Sequence, residues 1–263
     1  MTEAPAVLDA LAIRTALAAA GIASGDTVIV HASLSRLGYV AGGAETFVRA
    51  SLAAVGEGGT LMAPAQSWLN LDPSHAVHGL PEAAWPALRA ALPGFDPRTT
   101  PSVGMGAVAE VIRVWPGARR SDHPARSWAA VGARAESMVA VHDLHDVHGD
   151  PSPLGAAERA GAKVVLAGTG FDKCTALHLA ETRADWPGKR IEEDVSWVRE
   201  GDGRREVRAR SIAFRDDDFT RIGAAFEAEG HAVRAPLGDG ELIGFAVRDL
   251  VPFATAWMER NRS

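Results

Sequence analysis

The 263-residue sequence contains one cysteine, Cys174, and it lacks both a basic excess and a long apolar run. A single cysteine excludes an intrachain disulfide and a zinc site built from several thiolates. The net charge of −6 gives no support for a nucleic-acid or anionic-membrane partner. The first 21 residues lack the basic start and unbroken apolar core of a signal peptide, and no segment is apolar over the length of a membrane span. We therefore expect a cytoplasmic protein that binds neither nucleic acid nor membrane.

Hydrophobic periodicity predicts alternating strands and helices in one domain over residues 1–263. Strands are expected at 26–30, 60–64, 164–167 and after 230, and helices at 5–20, 44–55, 106–114, from 175, at 218–229 and at 247–260. Residues 129–141 are ambiguous between strand and helix. We expect an α/β fold with a mixed, mainly parallel central sheet and helices on both of its faces, because strands separated by a helix favour parallel pairing. The turn signal at 201–203 predicts an antiparallel hairpin over 195–215, and a small lobe at about 190–245 is an option.

The segment 164–186 holds the clearest candidate catalytic group. Its apolar strand ends at a glycine turn, and a helix follows in which His178 occupies the first turn. Asp172 or Thr175 is expected to cap this helix. The positive end of the helix dipole disfavours a protonated imidazole, so we expect His178 to be neutral and able to accept a proton. Glu181 lies three residues later on the same face, although packing of His178 in the core with Glu181 in water explains the pattern equally well.

Other polar residues carry alternative interpretations. Small and hydroxyl residues after the strand at 26–30 occupy the position where α/β folds bind ligands. The long loop 73–104 is expected to be functional, and the arginines at 119–126 are candidate phosphate ligands. His142, His145 and His148 suggest a metal site, but their spacing is not that of a helical ligand pair, and we expect no metal. A nucleophilic role for Cys174 is disfavoured, because buried free cysteines are ordinarily inert.

Six sequence blocks together identify a family. In order they are HASLSRLGYVAGG, EGGTLMAPAQSW, FDPRTTPSVGMGAVAE, PGARRSDHPARSWAAVG, HGDPSPLG and VVLAGTGFDKCTALHLAET. The sequence resembles the aminoglycoside 3-N-acetyltransferase family over about residues 10–260. These antibiotic acetyltransferases are unrelated in fold to the common GNAT type, whose pyrophosphate loop is missing from this sequence.

The resemblance implies a single antibiotic acetyltransferase domain that transfers acetyl from acetyl-CoA to the 3-amino group of an aminoglycoside without a metal. It places CoA against the residues His31, Ala32, Ser33, Leu34, Ser35, Arg36, Leu37, Gly38, Thr100, Ser102, Val103, Gly104, His123 and Ser127. Strand ends and helix starts offer N–H groups and hydroxyls for phosphates and pantetheine amides. Each individual serine or threonine also fits a turn or a helix cap.

The resemblance also implies roles around the acceptor. His178 matches the family's general base, and Glu181 is placed to orient it. Asp72, His148 and Asp150 match substrate-facing positions, although Asp72 also fits the start of a turn. The acids at 216–218 do not align unambiguously with those that some family members carry near the end of the hairpin.

Three alternatives to this enzyme stay open. A Ser-His-Asp hydrolase would carry a G-x-S-x-G elbow, which the sequence lacks. A family member acting on a non-antibiotic amine, and a non-catalytic protein that binds CoA or aminoglycosides, both fit the same motifs. The sequence is compatible with a monomer or a homodimer.

Overall fold

A seven-stranded mixed sheet forms the centre of the protein in the computed structural model, which describes residues 7–263. The strands are β1 (Val7–Leu8), β2 (Thr27–Ala32), β3 (Tyr39–Val40), β4 (Thr60–Pro64), β5 (Arg119–Arg120), β6 (Trp128–Gly132), β7 (Lys163–Ala167), β8 (Ile191–Glu200), β9 (Gly203–Ile212), β10 (Val233–Leu237) and β11 (Gly240–Ala246). The helices are α1 (Ala10–Ala19), α2 (Gly43–Val55), α3 (Trp85–Ala91), α4 (Gly106–Val114), α5 (Ala135–Val139), α6 (Pro153–Arg159), α7 (Leu177–Arg183), α8 (Phe219–Ala228) and α9 (Val247–Asn261).

The central sheet has the strand order β10-β11-β7-β2-β4-β6-β5. Only the three middle strands, β7, β2 and β4, pair in parallel. The mixed α/β class is confirmed, but the expected predominance of parallel pairs does not hold, because the outer four pairings are antiparallel. Parallel neighbours need a crossover such as α2, whereas a tight turn joins β10 to β11 and forces them to run in opposite directions.

Two apolar layers cover the sheet, as the alternation of side chains along its strands requires. In β2, Val28 and Val30 pack with α1, α2 and α4 on one face, whereas Ile29 belongs to the core on the other face. That second core contains residues of α5 to α9. The prediction of helices on both faces is therefore confirmed.

The hairpin expected over 195–215 is formed by β8 and β9, which pair antiparallel from Ile191↔Ile212 to Glu200↔Gly203. It is a separate two-stranded sheet. β10 and β11, at 233–246, pair into the central sheet instead of into the hairpin. The hairpin extends beside the loop 65–105, to which it is joined by the bridges Leu71↔Ser196 and Phe95↔Val198.

Several element boundaries differ from those expected. The helix predicted at 5–20 begins partly in residues outside the described part of the chain, and within that part α1 starts at Ala10, because the Asp9 side chain accepts from the Ala12 N–H. The ambiguous segment 129–141 contains both a strand, β6, and a helix, α5. The long loop 73–104 includes the short helix α3.

Candidate active site

A cavity of about 500 Å³ opens where the middle strands of the sheet end. Its wall includes His31 and Ala32 from β2, Pro64 from β4, and Thr169 just after β7. Parallel strands present their carboxyl ends at one edge of a sheet, and this is the usual ligand-binding edge of α/β folds. The parallel order of the middle strands thus determines that the cavity lies at their carboxyl ends.

Gly168 allows two of these strand ends to meet. It follows β7 with φ +61°, and a Cβ atom there would lie 2.6 Å from the Ser33 carbonyl oxygen. The Ser33 N–H donates to the Ala167 carbonyl at 2.8 Å. A side chain at position 168 would therefore separate the first loop of the cavity, residues 33–38 after β2, from the segment that leads to α7.

His178 and Glu181 form a hydrogen-bonded pair at this cavity. His178 lies in the first turn of α7 and lines the cavity, and its Nδ1 is 2.8 Å from Glu181 Oε2. The His178 side chain is 18% exposed, while that of Glu181 is completely buried. A carboxylate that accepts from Nδ1–H leaves the lone pair of a neutral imidazole on Nε2. The expected same-face contact between His178 and Glu181 is present.

The start of α7 differs from the prediction in one respect. Its N-cap is Ala176, which makes no side-chain cap, so the expected capping by Asp172 or Thr175 was wrong. The chain first forms a 3₁₀ turn over Phe171–Lys173, and the Leu177 N–H donates to the Cys174 carbonyl. This extra turn moves Asp172 away from the first amides of the helix.

Aromatic rings surround the His178 imidazole. His148 stacks on it with centroids 5.2 Å apart and an interplanar angle of 10°. Phe214 meets both imidazoles edge-on at 4.9 Å, and Phe219 contacts His178 at the same distance. Burial, followed by the repulsion that a protonated His178 would exert, lowers the pKa of His31 to about 4. Burial likewise places the pKa of His148 well below its ordinary value.

Five of the fourteen residues predicted to bind CoA line the cavity: His31, Ala32, Ser33, Arg36 and Gly104. Within residues 7–263, buried His31 Nε2 has no hydrogen-bond partner. An unpaired polar atom in a cavity wall suits a polar group of a ligand, such as a pantetheine amide. Arg36 adds exposed positive charge to the same wall, and the unpredicted Lys173 lies there 3.4 Å from its ionic partner Asp172, which also lines the cavity.

The other nine predicted CoA residues do not line this cavity: Leu34, Ser35, Leu37, Gly38, Thr100, Ser102, Val103, His123 and Ser127. Several of their side chains already have structural partners. Ser102 Oγ donates to Glu110 at 2.6 Å, and Ser127 Oγ donates to the Ala65 carbonyl at 2.8 Å. His123 is buried and accepts from two backbone N–H groups through Nδ1. These contacts tie the side chains into the scaffold, and neither serine bond is the turn or helix cap given as the alternative.

Two predicted acceptor-facing acids are paired with arginines. The Asp72 carboxylate accepts two bonds from Arg89, at 2.6 and 2.8 Å, and a third from the Ser74 N–H at 3.0 Å. It thus starts a turn, as the alternative interpretation held. Asp150 lies 2.5 Å from Arg183 on the surface. Neither acid lines the cavity that contains His178.

The three regularly spaced histidines occupy different environments. His142 contacts Ser121 Oγ at 2.8 Å and the Val147 carbonyl at 2.9 Å. His145 Nδ1 accepts from the Arg210 N–H at 3.0 Å, and His148 stacks on His178. Within residues 7–263, no group of three potential metal ligands converges.

The arginines expected as phosphate ligands hold the scaffold together instead. Arg119 pairs with Glu136 at 2.6 Å, and Arg126 pairs with Asp194 at 3.0 Å. Arg120 donates to the carbonyl groups of Ala65 and Thr100. Arg120 and Arg126 reach buried or half-buried oxygens, whereas the Arg119–Glu136 pair lies on the surface, so these contacts give no support to the phosphate interpretation.

Sequence reasoning missed further residues of the site. Among the acids at 216–218, only Asp216 lines the cavity. Asp217 pairs with Arg215, and Asp218 with Arg262. Cys174, Trp68 and Gln66 also line the cavity. Burial raises the pKa of the Cys174 thiol to about 12, so it stays protonated and is a poor nucleophile.

A His–Glu pair lies at a cavity on the ligand-binding edge of an α/β sheet, and such a pair is suited to general-base chemistry. The model of the aminoglycoside 3-N-acetyltransferase family matches residues 29–259. The chain belongs to this family, and the protein is an acetyltransferase. Its class was therefore correctly predicted.

Named relatives and solved structures agree with this assignment. Aminoglycoside N(3)-acetyltransferase VII of Streptomyces paromomycinus is 37% identical over 260 residues, which cover 93% of this chain and 89% of that protein. The crystal structure of YokD from Bacillus subtilis superposes with a TM-score of 0.92 at 33% identity, covering 99% of this chain and 96% of that one. The binary complex of AAC-IIIb with CoASH gives a TM-score of 0.87 at 30% identity and 98% coverage of both chains.

No helix within residues 7–263 is both long enough and apolar enough to cross a bilayer.

Proposed function

We propose that this protein transfers the acetyl group of acetyl-CoA directly to the 3-amino group of an aminoglycoside, with His178 as the general base. The observation that carries the proposal is the 2.8 Å bond between His178 Nδ1 and Glu181 Oε2 at the cavity. This bond leaves Nε2 as the proton acceptor. A cytoplasmic location, where acetyl-CoA is available, belongs to the same proposal.

His178 Nε2 takes a proton from the acceptor amine while the amine nitrogen bonds to the thioester carbonyl carbon. The carbon–sulfur bond breaks, and the CoA sulfur leaves as a thiolate that is then protonated. Glu181 stabilises the imidazolium that forms on His178, as a buried carboxylate does in other His-based sites. Holding both substrates in one cavity supplies proximity, which accounts for a large part of the rate.

CoA is proposed to bind along the wall formed by the first loop. Arg36 and Lys173 provide positive charge for its phosphates. The unpartnered Nε2 of His31 is available to a polar group of the pantetheine arm. A relative of the same fold has been solved with CoASH, which supports this use of the cavity.

The acceptor is proposed to approach Asp216. An aminoglycoside carries several ammonium groups, and a carboxylate at the cavity both attracts and orients them. Asp216 lines the cavity and has no ionic partner within residues 7–263. Asp72 and Asp150 stay in the proposal as outer acceptor contacts, and His148 stays in it as the buried neighbour that stacks on His178. The pairs Asp72–Arg89 and Asp150–Arg183 have to open before either acid binds an ammonium group.

Thiol release from acetyl-CoA, measured with a panel of amines, tests the proposal. The panel includes aminoglycosides with a free 3-amino group, the same compounds blocked at that position, and non-antibiotic amines. We expect rapid CoA release only with the free 3-amino compounds. Mass spectrometry of those compounds should then show one added acetyl group. Transfer to non-antibiotic amines alone would show that the substrate is another metabolite. If CoA binds but no amine is acetylated, the protein would be a binding protein and not an enzyme of this kind.

A further inference from the structure

Arg262, the second-last residue of the chain, has a side chain that is only 1% exposed. Its backbone N–H donates to the Met258 carbonyl at 2.9 Å at the end of α9. A buried charge at this position therefore requires partners that compensate its loss of water.

The Arg262 guanidinium bridges two buried acids. Nη1 donates to Glu181 Oε1 at 2.8 Å. Nε and Nη2 each donate to a different oxygen of Asp218 at 2.8 Å. Its carbon lies 5.0 Å from the centre of the Trp186 ring. Burial opposes the charge, but the bonds and charges of Asp218 and Glu181 outweigh it and raise the pKa of Arg262.

Glu181 therefore has both of its oxygens engaged. Oε2 faces His178 Nδ1, while Oε1 accepts from Arg262 and, at 2.7 Å, from the Arg215 N–H. A carboxylate held on one oxygen by two donors cannot rotate freely about its terminal bond. The planar fork of arginine imposes a direction that a lysine ammonium does not. The orientation of the His178 ring is thus linked through Glu181 to the end of the chain.

We propose that Arg262 is a positioning residue for the general base: it fixes the Glu181 carboxylate and thereby the orientation and tautomer of His178. This inference rests on the proposed role of His178. The chain Asp218–Arg262–Glu181–His178 carries one net negative charge when the imidazole is neutral. A proton taken up by His178 during turnover balances that charge.

The first test compares Arg262→Met and Arg262→Lys with Arg260→Met. Arg260 lies on the same helix end but is exposed, and within residues 7–263 it donates only to the Ala256 carbonyl, so its variant is the matched control. For Arg262→Met we expect kcat to fall about 10²-fold, because small misplacements of catalytic groups have effects of that size. The KM for acetyl-CoA should stay unchanged. Arg262→Lys should recover thermal stability but only part of kcat.

A second test is independent of acetyl transfer. Nitrogen-15 NMR of histidine-labelled protein reports which ring nitrogen of His178 carries the proton. Wild-type protein should show the Nδ1–H tautomer, whereas Arg262→Met should show a mixture of both. If wild-type protein shows that tautomer, Arg262→Met loses it and no amine is acetylated, the proposed function fails while the positioning inference stands.

Asp218→Asn protects the test against a variant that fails to fold. This substitution removes a charge but keeps the shape of the side chain that holds Arg262. It should lower kcat less than Arg262→Met does, and the KM for acetyl-CoA should again stay unchanged. A folded Arg262→Met protein with wild-type kcat and an unchanged His178 tautomer would overturn the proposal. The proposal would also be overturned if Arg262→Met lowered only the stability of the protein and left the kcat of its folded fraction unchanged.

Discussion

His178 Nδ1 lies 2.8 Å from Glu181 Oε2, and the two residues are separated by less than one turn of α7. The imidazole is at the cavity surface, while the carboxylate is fully buried. In the proposed mechanism, the outer ring nitrogen meets the substrate while the inner one is held by the buried carboxylate.

Replacing His178 tests its role as the base. We expect His178→Ala to lower kcat by about 10²- to 10⁴-fold, because a positioned general base contributes an effect of that size. Calorimetry should show unchanged CoA binding. His231→Ala is the control, because this half-exposed histidine does not line the cavity. Full activity of His178→Ala would leave His178 as a packing residue only.

Asp216→Asn tests the acceptor contact. If Asp216 binds an ammonium group, the KM for aminoglycosides should rise about 10-fold, since hydrogen bonds to charged groups contribute energies of that order. The KM for acetyl-CoA should not change, and the effect should shrink at high salt. Asp217→Asn is the matched control, because the neighbouring acid pairs with Arg215 instead of lining the cavity. Equal effects of the two substitutions would remove Asp216 from the acceptor site.

Cys174→Ala distinguishes direct transfer from an acetyl-enzyme. Burial raises the pKa of this thiol to about 12, so only a minute fraction is thiolate at neutral pH. We expect most of the activity to survive and initial-rate plots for the two substrates to intersect. Parallel lines, together with an acetyl group found on Cys174 by mass spectrometry, would show the covalent route.

Arg36→Gln tests the proposed phosphate contact. Loss of this cation at the cavity wall should raise the dissociation constant of CoA about 10-fold, because a charge-assisted bond to phosphate is lost. Arg14→Gln, on the exposed side of α1, serves as the control. An unchanged CoA dissociation constant in Arg36→Gln would place the phosphates elsewhere.

Stability should fall as the pH is lowered from about 6.5 to about 4. Burial lowers the pKa of His142 to about 4 from its ordinary 6.5. Between these values the unfolded chain binds a proton that the folded protein excludes, so acid favours unfolding. The shift corresponds to at most about 3 kcal/mol for this residue. Urea unfolding at pH 7.5 and pH 5 should show a smaller difference for His142→Gln than for wild type; an equal difference would contradict this assignment.

The sequence by itself determined the local parts of the site. The strand, glycine turn and helix over 164–183 follow from the hydrophobic period and the breaker residues, and the structure has β7 and α7 there. The spacing of His178 and Glu181 brought them together, because residues three apart share a helix face. The β8–β9 hairpin likewise follows from its turn signal at 201–203. In each case, hydrogen bonds between near neighbours determine the outcome.

Only the tertiary structure decided which distant residues meet. Asp72 finds Arg89, 17 residues away, and Glu181 finds Arg262, 81 residues away. The acids at 216–218 look equivalent in the sequence, yet only Asp216 lines the cavity. Such partners depend on the path of the whole chain, and residue type specifies the charge but not its neighbour. The same limit explains the outer antiparallel strands, whose pairing depends on where the chain re-enters the sheet.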